Sequence, residues 1–134
     1  MKKLQGTSSK TTKDIKVTVI TEYDVKNSCP SECRYVFRYN ISIENKRFEP
    51  IRLLKRKWHI FDFGFGFTEV AGDGVIGLVP EIKPGENFGY FSNVILRSGL
   101  GTMCGTYLIQ NTITEEVFEV EISKFNLFST VLSN

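Results

Sequence analysis

The sequence predicts an all-β fold, an antiparallel β-sandwich made of many short strands. In several segments apolar and polar residues alternate with a period of two, as they do in a strand that buries one face. Glycine and proline turns separate these segments at regular spacing. Nowhere do apolar residues recur at the i, i+3, i+4 and i+7 positions of a helix over three turns. A closed barrel is the alternative architecture.

The first two predicted strands show the clearest alternation. Over residues 15–23, and again over residues 35–44, an apolar side chain occupies nearly every second position. Each segment is therefore expected to bury one face. Pro30 lies in the turn-rich stretch between them, which suits a hairpin-type connection.

A third strand is predicted over residues 51–62, where charged residues interrupt the apolar ones. Alternation places Trp58 on the same face as Leu54 and Leu53 on the opposite face, and Trp58 is expected in the core. Arg56 shares the Trp58 face. Its guanidinium must therefore reach an edge or meet a carboxylate or carbonyl groups, because an unpaired buried charge is very costly. Anion binding is the other role open to it.

The remaining strands are shorter. They are predicted over residues 88–91, 103–110 and 117–122, each with apolar residues in alternation. A strong turn precedes the first of them, since Pro84 presets one central φ and Gly85 accepts a positive φ at the next position.

Charge and hydropathy limit the class of protein. Four of the 17 basic side chains lie within residues 1–13, which carry no acid, and this leaves 13 basic against 15 acidic side chains elsewhere. We therefore expect a disordered basic tail over residues 1–13, a sandwich domain over residues 14–130, and no binding of nucleic acid. No apolar run approaches the roughly 20 residues that span a bilayer. The polar residues after Leu4 exclude a signal sequence, so a cytoplasmic protein without membrane contact is expected.

Neither a metal site nor a catalytic site is expected. Three cysteines, an odd number, are predicted to be free thiols: Cys29, Cys33 and Cys104. His59 is the only histidine and has basic residues near it, which makes it a poor ligand for a divalent metal. No nucleophile and base are recognisable as a pair, so we predict a protein without enzymatic activity and without a cofactor.

A glycine-rich stretch matches the pattern G-x-G-x-x-G and reads Gly72-Asp73-Gly74-Val75-Ile76-Gly77. This pattern indicates a dinucleotide site only where a helix follows, because the helix N-terminus holds the pyrophosphate. Pro80 and Pro84 exclude a sustained helix here. We interpret the stretch as a tight connection between β elements, with an anion site made of loop N–H groups as the alternative.

Three phenylalanines alternate with glycines just before that stretch. Phe63, Phe65 and Phe67 could insert into the core, or they could form an exposed apolar patch for a partner. The candidate ligand- or partner-binding residues are therefore Arg56, Gly72, Asp73, Gly74, Gly77, Phe63, Phe65 and Phe67.

Several ordered motifs resemble the ApaG family, also known as ApaG/CorD-like domains, over roughly residues 15–128. They are Arg56-Lys57-Trp58-His59-Ile60-Phe61-Asp62, Glu69-Val70-Ala71-Gly72-Asp73-Gly74-Val75-Ile76-Gly77, Pro84-Gly85-Glu86-Asn87-Phe88, Gly101-Thr102-Met103-Cys104-Gly105-Thr106-Tyr107 and Phe118-Glu119-Val120-Glu121-Ile122. The chain is similar to the single-domain bacterial members. Its loop over residues 63–67 is unusually aromatic for the family.

The resemblance implies an immunoglobulin-like or fibronectin-III-like sandwich without an established enzymatic activity. It also implies a link to cobalt and magnesium tolerance, and in eukaryotic members a role in protein interaction. We therefore expect a binding module with a protein partner, and a small-ligand or cation sensor at the glycine-rich stretch is the alternative. A hydrolase acting on dinucleoside polyphosphates is a third possibility. It would rest only on the family's gene neighbourhood, which includes a diadenosine-tetraphosphate hydrolase, and on no residue of this chain. Since an open sandwich has free sheet edges, a homodimer is also compatible with the sequence.

Overall fold

The computed structural model describes residues 5–129. Its strands, in chain order, are β1 (Gln5–Thr12), β2 (Ile15–Tyr23), β3 (Tyr35–Asn45), β4 (Ile51–Asp62), β5 (Gly66–Asp73), β6 (Glu81–Ile82), β7 (Asn87–Leu96), β8 (Leu100–Asn111) and β9 (Val117–Phe128). Within this range the only helical segment is a single 3₁₀ turn, Pro30–Glu32. The predicted all-β fold is confirmed.

Two antiparallel sheets form the molecule. The first has the strand order β1-β2-β3-β7, and the second has the order β5-β4-β8-β9, with the short β6 also pairing with β4. Their inner faces enclose one core that includes Trp58, Phe37, Tyr107 and Phe125. Trp58 is buried, as alternation predicts, and packs edge-on against Tyr39, Tyr107 and Phe125. Within the described residues, no helix is long and apolar enough to cross a membrane.

The predicted disordered tail is wrong for Gln5–Thr12, which form β1 and pair with β2 along their whole length. The side chains of β1 also reach β9 in the other sheet, where Lys10 forms an ion pair with Glu121 and Ser8 donates a hydrogen bond to the carbonyl of Ser123. β1 is an edge strand with polar residues on both faces, so periodicity could not reveal it. Residues 1–4 of the predicted tail lie outside the described residues.

The predicted faces of β4 are correct for Trp58 and wrong for Leu53, which is fully buried. The reason is a β-bulge between Leu53 and Lys55, where the register with β8 shifts. A bulge adds one residue to one strand and so reverses the inward and outward positions beyond it. Ile51 and Leu53 therefore point inward before the bulge, and Trp58 points inward after it.

Candidate functional site

The glycine-rich stretch is a tight hairpin and not the start of a helix, so its interpretation as a connection between β elements is confirmed. The N–H of Val75 donates to the carbonyl of Leu78, and the N–H of Leu78 donates to the carbonyl of Val75, both at 2.8 Å. Ile76 and Gly77 have φ values of +44° and +76°. Positive φ at both central positions defines a type I′ turn, which matches the twist of the flanking strands.

Two glycines of the stretch make close contacts, Gly74 with the backbone and Gly72 with the end of a flexible side chain. Gly74 has a φ of +57°, and a Cβ added to it would lie 1.8 Å from the carbonyl oxygen of Leu78. A Cβ added to Gly72 would lie 2.9 Å from both terminal nitrogens of Arg56, its partner across the β4–β5 pair. Packing therefore accounts for both residues without a ligand.

Arg56 holds the beginning of the hairpin. Its Nη1 donates to the carbonyl oxygens of Asp73 and Gly74, both at 3.0 Å. These bonds to carbonyl groups satisfy the half-buried guanidinium in one of the ways predicted from its shared face with Trp58. Since the N–H of Gly74 also donates to the carbonyl of Leu54, β4 holds the hairpin by both main-chain and side-chain contacts.

Three buried tyrosines lie on the inner faces of the sheets beside Arg56. The hydroxyls of Tyr90 and Tyr107 are hydrogen-bonded to each other across the two sheets. Burial raises the pKa of Tyr39, Tyr90 and Tyr107, and the nearby positive charge of Arg56 opposes the shift in each case. The three hydroxyls therefore stay protonated at pH values where an exposed tyrosine starts to ionise.

On the outer face of the second sheet, a cleft of about 430 Å³ lies behind Arg56. Its lining consists of Lys55, Arg56, Lys57, Ala71, Gly72, Asp73, Thr106, Leu108 and Glu119. Lys55 and Lys57 flank Arg56 along β4 and are exposed, so they stand on the face opposite to Trp58. The two carboxylates in the lining offset part of the charge of its three basic side chains, and the cleft has a mixed electrostatic character.

The phenylalanines in the β4–β5 turn and at the start of β5 are exposed, so of the two alternatives the structure shows the surface patch. Phe63, Phe65 and Phe67 are 59%, 55% and 82% exposed, respectively. We call these three residues the aromatic tip. Phe67 packs against Phe61 with tilted rings, whose centroids are 4.8 Å apart, and the guanidinium of Arg97 lies 5.5 Å from the centre of the Phe65 ring.

Strand β5 was not predicted, because its glycines were interpreted as turns. Within residues 5–129 it pairs with β4 alone, and seven of its eight residues are exposed, Gly72 being half-buried. A strand with one unpaired side presents a row of free N–H and C=O groups. Its alternation of Phe67, Glu69 and Ala71 mixes apolar and acidic residues on one face, which leaves no clear apolar stripe in the sequence.

The candidate residues fall into two groups at opposite ends of β5. Arg56, Gly72, Asp73 and Gly74 are in contact at one end, while Gly77 lies at the apex of the adjoining hairpin. The aromatic tip lies at the other end, about 20 Å away as estimated from the rise along a strand.

The described residues contain no group of three or more His, Cys, Asp and Glu side chains that could hold a metal ion. Cys29, Cys33 and Cys104 are free thiols, as expected. Cys29 and Cys33 flank the 3₁₀ turn between β2 and β3, whereas Cys104 lies in β8.

Comparison with known proteins shows what this chain is similar to. The model of the ApaG domain family matches residues 25–111. An ApaG protein of Chromohalobacter salexigens is 41% identical over 113 residues, which cover 84% of this chain and 89% of that protein. An ApaG protein of Rhodospirillum centenum is 40% identical over 121 residues, which cover 90% of this chain and 92% of that protein.

Solved structures agree with these sequence relationships. A crystal structure assigned to the ApaA protein of Bordetella pertussis superposes with a TM-score of 0.84 at 38% identity, covering 87% of this chain and 94% of the other. A second X-ray structure, a structural-genomics target, has a TM-score of 0.82 at 35% identity and covers 89% of each chain. The match of the family model, the relatives near 40% identity and the shared two-sheet architecture lead to one conclusion: the chain belongs to the ApaG family.

Proposed function

We propose that this protein is a non-enzymatic interaction module that binds a protein chain along β5 and its two apolar ends. The observation that carries the proposal is the concentration of exposed apolar side chains along this one edge. Besides the aromatic tip, the exposed large apolar residues here are Val70, Ile76, Leu78 and Val79. A free sheet edge supplies main-chain hydrogen bonds to an incoming extended segment, and flanking apolar residues supply the affinity.

Replacing the aromatic tip tests this proposal. In the variant Phe63→Ser/Phe65→Ser/Phe67→Ser, we expect recovery of the bound protein to fall about tenfold or more, because exposed aromatic residues dominate binding energy at interfaces. The measurement is affinity capture from native lysate with quantitative mass spectrometry. Thermal unfolding of the variant is compared with that of the wild type, and it should change little because the three side chains are exposed.

A matched control removes exposed apolar residues from the end of the sandwich that lies opposite the aromatic tip. Phe48 and Ile113 lie in the β3–β4 and β8–β9 connections and are 96% and 68% exposed. The variant Phe48→Ser/Ile113→Ser should capture as much partner as the wild type. Equal recovery with the aromatic-tip variant and the wild type would count against binding at β5.

The cleft favours a second candidate function, the sensing of a phosphate-bearing ligand or a divalent cation. Its two exposed lysines are the observation in its favour, while the engagement of Arg56 with two carbonyls weighs against it. Titration with pyrophosphate, nucleotides, Mg²⁺ and Co²⁺ should then shift the amide signals of Lys55, Lys57 and Ala71. No shift at millimolar ligand would remove this candidate. The implied link to cobalt and magnesium tolerance stays a prediction.

A further inference from the structure

We infer that the chain bound at β5 is a second copy of this protein, joined by antiparallel β5–β5 pairing around a two-fold axis at Val70. This inference rests on the proposed function and names its partner. It combines two sheets of the same kind into one continuous sheet. Three independent features of the β5 edge support it: the direction of its free backbone groups, the register that its side chains allow, and the placement of its apolar ends.

The hydrogen-bond pattern shows which backbone groups of β5 are free. The N–H of Gly74 donates to the carbonyl of Leu54 at 2.8 Å, in the same register as the β4–β5 pairs. Since neighbouring residues of an antiparallel strand alternate in direction, the odd-numbered residues turn their backbone groups away from β4. Phe67, Glu69 and Ala71 therefore present N–H and C=O groups to the free edge.

Side chains favour a register centred on Val70 over one centred on Glu69. Phe67–Asp73 is symmetric about Val70, and centring the axis there pairs Glu69 with Ala71 of the second copy and Phe67 with its Asp73. Centring the axis on Glu69 would instead place two like charges directly opposite each other, which is destabilising. A slip by one residue would pair inner-face residues with outer-face residues.

The chosen register also closes the core on its open side. Val70 is 40% exposed, although it pairs with the fully buried Trp58 on the inner face of β4. At the two-fold axis it would meet the Val70 of the second copy in a non-hydrogen-bonded pair, because the backbone groups of Val70 point towards β4. Side chains approach most closely in such pairs.

The apolar ends of β5 become complementary under the same symmetry. In the register centred on Val70, Gly66 of one copy faces Gly74 of the other. The aromatic tip of each copy therefore lies beside the Val75–Leu78 hairpin of its partner, where Ile76 and Leu78 are each about half exposed. An isologous interface requires one surface to complement itself in this way.

The strained backbone conformation of Ile76 supports a role for its side chain in the contact with the second copy. Ile76 is β-branched and has a φ of +44°, a conformation that costs free energy and that glycine or asparagine adopts more easily. Its side chain is 54% exposed, so a large part of its apolar surface stays in contact with water in the single chain. Burial against the aromatic tip of a second copy would supply the compensation.

Sedimentation velocity across micromolar to submillimolar concentrations tests the inference. We expect the wild type to dimerise and Ala71→Pro to stay monomeric, because proline removes an N–H that points to the free edge and leaves the β4 pairing intact. Ala71→Ser keeps the N–H and should dimerise as the wild type does. Circular dichroism confirms that both variants are folded.

Cysteine cross-linking tests the register. With Cys33→Ser as background and oxidised glutathione as oxidant, Val70→Cys should form a disulfide-linked dimer, because the two positions meet at the axis. Thr68→Cys should not, since in this register Thr68 faces Gly72 of the second copy. Equal cross-linking of both variants would overturn the register.

If the wild type stays monomeric at submillimolar concentration but capture of another protein still depends on the aromatic tip, the inference of a dimer fails and the proposed function stands. The β5 edge would then take an extended segment of a different chain. If neither self-association nor capture depends on the β5 edge, the proposed function fails as well.

Discussion

Replacing Gly74 with alanine is expected to destabilise the protein by about 4 kcal/mol, a large fraction of the roughly 5–15 kcal/mol by which a typical domain is stable. The new Cβ would lie 1.8 Å from the carbonyl oxygen of Leu78, which belongs to the backbone and cannot rotate away. Gly74 also has a φ of +57°, which disfavours any residue with a Cβ. The hairpin would have to open, and the bond from the Gly74 N–H to Leu54 would be lost with it.

Two further glycines of the stretch serve as graded controls. A Cβ at Gly77 meets nothing within 4 Å, so Gly77→Ala should cost only about 1 kcal/mol for its positive φ. Gly72→Ala should cost about 2 kcal/mol, because the Arg56 guanidinium must give up its present position and its bonds to carbonyl groups. Urea unfolding can be followed by the fluorescence of Trp58, the single tryptophan. Equal losses in the three variants would contradict this account of the motif.

Raising the pH above 10 is expected to destabilise the protein steeply. Tyr39, Tyr90 and Tyr107 have a raised pKa in the folded protein and ionise near pH 10 in the unfolded chain. Above pH 10 the unfolded state therefore binds fewer protons than the folded state. The stability contributed by these groups is present below pH 10 and is lost as the pH rises towards the folded pKa, by at most about 1.4 kcal/mol per pH unit for each tyrosine.

The double variant Tyr90→Phe/Tyr107→Phe isolates this effect. It removes both members of the hydroxyl pair together, so neither hydroxyl is left without its partner, and stability at neutral pH should change little. Urea midpoints followed by circular dichroism between about pH 9 and pH 11 should fall less steeply than those of the wild type, since only Tyr39 remains. An unchanged slope would show that these tyrosines do not govern alkaline unfolding.

The interaction surface that we propose depends on the same hairpin that Gly74 stabilises. Arg56 and Gly74 hold the hairpin against β4, and the hairpin presents Ile76 and Leu78 to solvent. A variant that opens the hairpin would therefore lose binding for structural reasons. The Ala71→Pro and aromatic-tip variants are more informative about binding, because they change exposed groups only.

The sequence by itself determined the strands with one apolar face and the glycine-rich turn. A period of two in the apolar residues located β2, β3 and most of β4, and it placed Trp58 in the core. A strand that buries one face has an apolar residue at every second position. The prolines after Gly77 excluded a helix, because proline cannot continue one. These features depend on neighbours in the chain, which the sequence displays.

Only the tertiary structure decided which strands lie at the edges, which face follows the bulge and where the phenylalanines point. β1 and β5 are held to their sheets by backbone hydrogen bonds, which residues of almost any type can make. Their composition therefore does not identify them as strands. The bulge after Leu53 reverses the faces of β4 without a change in sequence pattern. The exposure of Phe63, Phe65 and Phe67 follows from the position of the β4–β5 turn at the end of an uncovered edge.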